Sequence, residues 1–191
     1  MIKEEAEKIV NEIFSLYENH GNADYIGEPV SQLEHMCQAA ELAEAEGYDD
    51  EVVLAAFFHD IGHLCEFIMP VELMEGVGVL DHESIGQAYL INRGFSERVA
   101  RLVRSHVEAK RFLTFKYPEY FDKLSDASKI TLQHQGGRMN AEEAEAFESD
   151  PMFDLFIKMR TWDDLAKITN KALPDLNKYK QMAVLHLTKN N

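Results

Sequence analysis

The chain has 191 residues, 46% hydrophobic and 28% charged, with 34 acidic side chains against 19 Lys and Arg and a formal net charge of -15. This length suits one domain with a sizeable core, expected to span residues 1–191, and the acidic balance argues against a nucleic-acid partner, which needs a basic face. The first residues are charged where a secretory signal would be basic and then apolar, and the longest apolar run, Val52 to Phe58, falls far short of the roughly 20 residues of a membrane span; a soluble cytoplasmic protein without membrane contact is expected.

Residues 2–19 repeat apolar side chains (Ile9, Val10, Ile13, Phe14, Leu16) at a helical period. A loop at 21–28 precedes Pro29, whose fixed φ suits a first turn, so a second helix is expected over 29–46 with Gly47 ending it. Asp49 or Asp50 can cap a third helix reaching residue 63, nearly all apolar and therefore central. Residues 65–80 hold Pro70, Gly76 and Gly78 and read as an irregular connection. Helices are then expected over 81–93 and 96–112, separated by Gly94, over 125–134 up to Gly136-Gly137, from a capped restart at 139–143, over 151–169 and over 175–188. No stretch alternates long enough for a strand, so the fold class is all-α.

His59 and Asp60 stand side by side at the end of the apolar run. Neighbours on a helix diverge by roughly 100°, so the two approach one ion only from a pocket edge. His35, His59, Asp60 and Asp163 offer four donors of the kind a first-row metal takes, and His82 and His106 complete a second ion with Asp60 bridging. Each alone reads as a core histidine or a surface acid; as a set they point to a buried two-metal centre. His20, His134 and His186 lack such a setting and read as structural or exposed, Cys37 and Cys65 as buried and inert, and Glu143, Glu145 and Glu148 as a solvated acidic face.

The order His35, His59-Asp60, His82, His106, Asp163 resembles the HD-domain superfamily in its six-ligand, two-metal form, which implies a helical bundle with the metals at its centre. Most of that superfamily are phosphohydrolases; some are mixed-valent di-iron oxygenases. Many hydrolytic members carry lysine four residues after the histidine of the His-Asp pair, and here that position is His63. The segments 24–28, 32–36, 106–111, Gln135-Gly136-Gly137 and Arg160-Thr161-Trp162-Asp163 resemble the organophosphonate oxygenases of the PhnZ and TmpB type. The resemblance implies two irons, Fe(II)/Fe(III), with O2 as co-substrate and cleavage of the carbon–phosphorus bond of a 1-hydroxyalkylphosphonate.

Local spacing agrees with an anionic substrate. Lys110 lies four residues after His106 and Arg160 three before Asp163, on the ligand faces of their helices, so both are expected to hold the phosphonate and not the metal. Ser128, Thr131 and Gln135 share one helix face and add neutral hydrogen bonds, a reading the resemblance lifts above a polar stripe. It also implies that Tyr25 gates an iron in the resting site with Glu28 as companion; His63, on the face of His59, reads as a base or hydrogen-bond partner beside the ligands.

The favoured substrate is a 1-hydroxy-2-(trimethylammonio)ethylphosphonate, giving glycine betaine and phosphate. The alternatives are 2-amino-1-hydroxyethylphosphonate, giving glycine, an HD phosphohydrolase needing no dioxygen, and a non-catalytic metal-binding domain; the sequence leaves the oligomeric state open.

Overall fold

The computed structural model describes residues 1–25, 27–74 and 76–189. Its helices are α1 (Lys3–His20), α2 (Gln32–Ala45), α3 (Asp50–Phe58), α4 (Ile61–Leu64), α5 (His82–Ile91), α6 (Glu97–Lys116), α7 (Pro118–Lys123), α8 (Asp126–His134), α9 (Ala141–Glu148), α10 (Phe153–Leu165) and α11 (Leu176–Lys189), with a 3-10 turn at Cys65–Phe67. The only β pairing among the described residues is two isolated bridges, Asp24 to Ser31 and Leu73 to Val79. The fold is all-α, as expected.

The composition of α3 dictates the layout. Val52 through Phe58 are all buried, so this helix needs neighbours on every side, and α2, α6, α10 and α11 supply them. Phe57 stacks on Phe14 of α1 at 5.3 Å and on Tyr179 of α11 at 4.7 Å, while Phe58 meets Phe95 edge-on at 5.4 Å. Around this centre α6 packs on α5 and α10, α4 on α5, and α1 on α11. Buried apolar side chains from Ala6 to Leu187 form one contiguous cluster. No described helix is long and apolar enough to cross a membrane.

Four boundaries differ from the sequence expectation, each for a local reason. The second helix begins at Gln32 and not at Pro29, because Ser31 and Glu34 form a reciprocal capping box. The expected helix to residue 63 is broken at His59-Asp60, where Asp60 takes φ -104° and ψ 12°. Helix α6, which carries His106, runs to Lys116, and α7 follows with Pro118 in its first turn. Finally, α10 ends at Leu165, so residues 166–169 leave the helix.

The break at Asp60 makes α4 press against the start of α5. A Cβ on Gly62 would lie 1.8 Å from the His82 carbonyl oxygen. Gly62→Ala is therefore expected to cost roughly 3 kcal/mol, lowering the melting temperature by about 10 °C; a melt within 2 °C of wild type would show that the close approach is not needed.

Candidate metal centre

Breaking the helix after Phe58 turns both His59 and Asp60 inward, and four other helices bring the remaining donors to them. His35 comes from the first turns of α2, His82 from the start of α5, His106 from the middle of α6 and Asp163 from the end of α10. All of these side chains are buried. The Asp60 carboxylate lies between two histidine pairs. Its Oδ2 is 3.6 Å from His35 Nε2 and 3.4 Å from His59 Nε2, whereas its Oδ1 is 3.4 Å from His82 Nε2 and 3.3 Å from His106 Nε2. Asp163 Oδ1 adds a further donor on the first side, 3.3 Å from His35 Nε2.

The outward faces of the rings fix their protonation. Nδ1 of His35 sits 2.9 Å from the Ala166 carbonyl oxygen, that of His59 2.8 Å from Ala56, and that of His106 2.7 Å from Val103. A carbonyl only accepts, so each of these Nδ1 atoms carries a proton and leaves Nε2 as the atom turned toward the other donors. The Nε2 atoms of His35 and His59 then approach to 3.0 Å, as do those of His82 and His106. Imidazole nitrogens at that distance beside Asp60 Oδ2, a buried oxygen without a hydrogen-bond partner, form a donor set suited to cations. His35, His59 and Asp163 make one cluster within metal-binding reach, and Asp60, His63 and His82 a second. On the second side His106 has the better claim as a ligand than His63, because His63 Nδ1 already accepts the Val79 N–H at 3.1 Å and its ring lies flat on His82, 4.0 Å away.

Electrostatics agree. Burial alone would raise the Asp60 pKa, yet His59 first, and His106 and His82 beside it, hold it well below the carboxylate range. Burial disfavours charge on His59, but Asp60 and Asp163 outweigh it and lift that pKa to about 9. A metal bound here displaces that proton.

One cavity opens on this centre. Asp60, His82, His106 and Asp163 form its floor, and its walls carry Tyr25, Glu28, His63, Lys110, Ser128, Thr131, Gln135 and Arg160, every non-metal residue singled out from the sequence. His35 and His59 lie behind the floor. Lys110 is buried and donates to Thr131 Oγ1 at 3.0 Å; burial and the neighbouring Arg160 push its pKa down to about 7. The Tyr25 ring stacks on His35 at 4.0 Å. Burial and the nearby Asp60 and Asp163 carboxylates raise its hydroxyl pKa well above the usual value.

Arg160 is more constrained than its spacing suggested. Its Nη1 donates to Asp163 Oδ2 at 2.6 Å, its Nε to Tyr120 Oη at 2.7 Å, and its Nη2 to Asp164 and, at 3.4 Å, to Ser128 Oγ. Tyr120 in turn donates to Asp164 at 2.5 Å. Spacing alone placed Arg160 on the substrate side; the structure also ties it directly to Asp163. Asp164 was detectable, since it lies four residues after Arg160; Tyr120, on α7, carries no local signal. Two further polar residues of the cavity were missed, Lys167, which pairs with Glu28, and Gln32, a buried side chain whose Oε1 has no partner. Of the residues set aside, His186 accepts the Ser96 N–H at 3.0 Å and His20 stacks on Phe67, both structural. Glu143 remains solvent-facing, as expected, and also closes a capping box with Asn140 and pairs with Arg111 at 2.8 Å.

A helical bundle whose His and Asp side chains converge on a carboxylate flanked by two histidine pairs, with cations in the cavity above, defines a metal-binding protein able to take an anion. The HD domain family matches residues 32–172, and the chain belongs to that family. Within it, the chain groups with proteins named as phosphonate dioxygenases. It is 39% identical over 168 residues to the [1-hydroxy-2-(trimethylamino)ethyl]phosphonate dioxygenase (glycine-betaine-forming) of Leisingera caerulea, covering 87% of this chain and 84% of that one. It is 36% identical over 173 residues to the hydroxymethylphosphonate dioxygenase of Gimesia maris, covering 89% and 84%. An uncharacterized protein, L432, of Acanthamoeba polyphaga mimivirus is 45% identical over 179 residues, covering 94% and 82%. Helices α1 and α11 lie outside the matched family segment and pack on each other.

Proposed function

We propose that this protein is a cytoplasmic di-iron oxygenase, one domain over residues 1–191, that uses O2 to cleave the carbon–phosphorus bond of a 1-hydroxyalkylphosphonate. The observation that carries this reading is the Asp60 carboxylate divided between two histidine pairs directly beneath a wall holding Lys110 and Arg160. The reaction balances as R–CH(OH)–PO3H2 plus O2 giving R–COOH plus H3PO4.

His35, His59, Asp163 and Asp60 Oδ2 would hold one iron, and His82, His106 and Asp60 Oδ1 the other. When bound, an Fe(II)/Fe(III) pair would supply dioxygen activation and Lewis acidity. Lys110, Arg160, Ser128, Thr131 and Gln135 would bind the phosphonate and hold C1 in the cavity they share with Asp60, His82, His106 and Asp163. His63, held by the Val79 N–H and flat against His82, orients that ligand and excludes water from its side. The favoured substrate bears trimethylammonium at C2, which the 39% identity to the Leisingera enzyme supports; side-by-side turnover with the primary amine tests this choice.

Tyr25 serves as the gate. Its ring is parallel to His35, and its hydroxyl faces the same carboxylates as the first metal position. Tyr25→Phe is expected to change the absorption and paramagnetic spectra of the iron-loaded, substrate-free protein more than those of the substrate complex. Superimposable substrate-free spectra would remove Tyr25 from that role.

A further inference from the structure

With the metal-facing groups, Lys110 and Arg160 assigned, two charges remain in the described cavity wall, Glu28 and Lys167. They face each other, with Lys167 Nζ 2.7 Å from Glu28 Oε1 and the side chains 22% and 12% exposed. Both are delivered by constrained backbone. Gln38 clamps Ile168 through two hydrogen bonds of 2.9 Å, one to its carbonyl and one from its N–H, and the Ala166 carbonyl takes the His35 Nδ1 proton. The three-residue stretch that orients His35 thus also presents Lys167. On the other side, Gly27 sits at φ 75° against Ala127, where a Cβ would come within 2.7 Å of the Ala127 Cβ, which seats the Glu28 loop on α8.

Resting on the reaction proposed above, we infer that Lys167 is a specificity-determining residue for the group attached to C1. A lone carboxylate in a half-buried wall favours a cationic arm strongly, by attraction and by its own need for a counter-charge. Lys167 already meets that need. The pair sums to zero charge, and an arriving cation finds an ammonium as near as the carboxylate. The wild-type cavity therefore accepts a hydroxyphosphonate with no charged arm beside one that carries a quaternary or primary ammonium. Loss of Lys167 makes the cavity cation-selective.

Calorimetric binding to the anaerobic, iron-loaded protein reads this directly, using hydroxymethylphosphonate and its 2-trimethylammonioethyl counterpart as probes. Wild type is expected to bind both, and Lys167→Met to shift the ratio of dissociation constants about tenfold or more toward the cationic compound, the size of one charge-assisted contact. Lys167→Arg keeps the wild-type ratio, and the double variant Lys167→Met/Glu28→Gln returns toward it. An unchanged or reversed ratio in Lys167→Met, equal weakening of both compounds, or a wild type that does not bind the compound without a charged arm would each overturn the assignment. Phosphate release is a separate readout: its absence under O2 sinks the reaction and leaves the binding ratio to decide on Lys167.

Discussion

Asp60→Ala is expected to leave the protein with less than one metal per chain and to lower turnover by roughly a thousandfold or more, the equivalent of several kcal/mol of transition-state stabilisation. Asp60 is the one side chain with an oxygen toward each histidine pair, Oδ2 toward His35 and His59 and Oδ1 toward His82 and His106. Its removal leaves His82 and His106 without the carboxylate beside them and leaves Asp163 alone to offset charge on the side of His35 and His59. Asp60→Asn keeps the shape but turns an amide N–H2 toward one side, so it should hold no more than one metal. Elemental analysis of the purified variants decides; two metals per chain in Asp60→Ala would contradict the bridging assignment.

Lys110→Gln and Arg160→Gln are expected to diverge, although the sequence treats them alike. Lys110 touches Thr131 and none of the metal-facing groups within hydrogen-bond distance, so its loss should weaken phosphonate binding roughly tenfold or more with normal metal content. Arg160→Gln removes the partner of Asp163 and Asp164 as well. Breaking a buried ion pair from one side costs about 3–5 kcal/mol, so this variant should lose stability and metal together with substrate affinity. Metal retention in Arg160→Gln equal to that in Lys110→Gln would show that the link to Asp163 is idle. The depressed Lys110 pKa of about 7 adds a pH signature. Above pH 7 the free lysine is mostly neutral, and an arriving phosphonate restores its charge, so binding takes up a proton and weakens as pH rises. Lys110→Gln should abolish that uptake in calorimetry repeated in buffers of different ionisation enthalpy.

The ligand set was legible because it rests on residue type and chain order, and the long helices because Val52 to Phe58 and the period of residues 2–19 are strong signals. The break at His59-Asp60 was not, since nothing local distinguishes an apolar helix that continues from one stopped by the packing of Gly62 on His82. The capping box at Ser31 and Glu34 was readable and was overlooked in favour of Pro29. The network around Arg160 and the Lys167–Glu28 pair depend on chain separations of 40 and 139 residues. Such contacts are set by how α7 and the end of α10 dock, which no local pattern encodes.

The most direct test loads the metal-free protein with iron under anaerobic conditions, counts metal, adds the trimethylammonium hydroxyphosphonate and then admits O2. The expected result is two irons per chain, no phosphate before O2, and one phosphate released for each O2 consumed. Phosphate released equally well without O2, or with manganese in place of iron, would contradict the oxygenase reading and point to a hydrolase on the same scaffold.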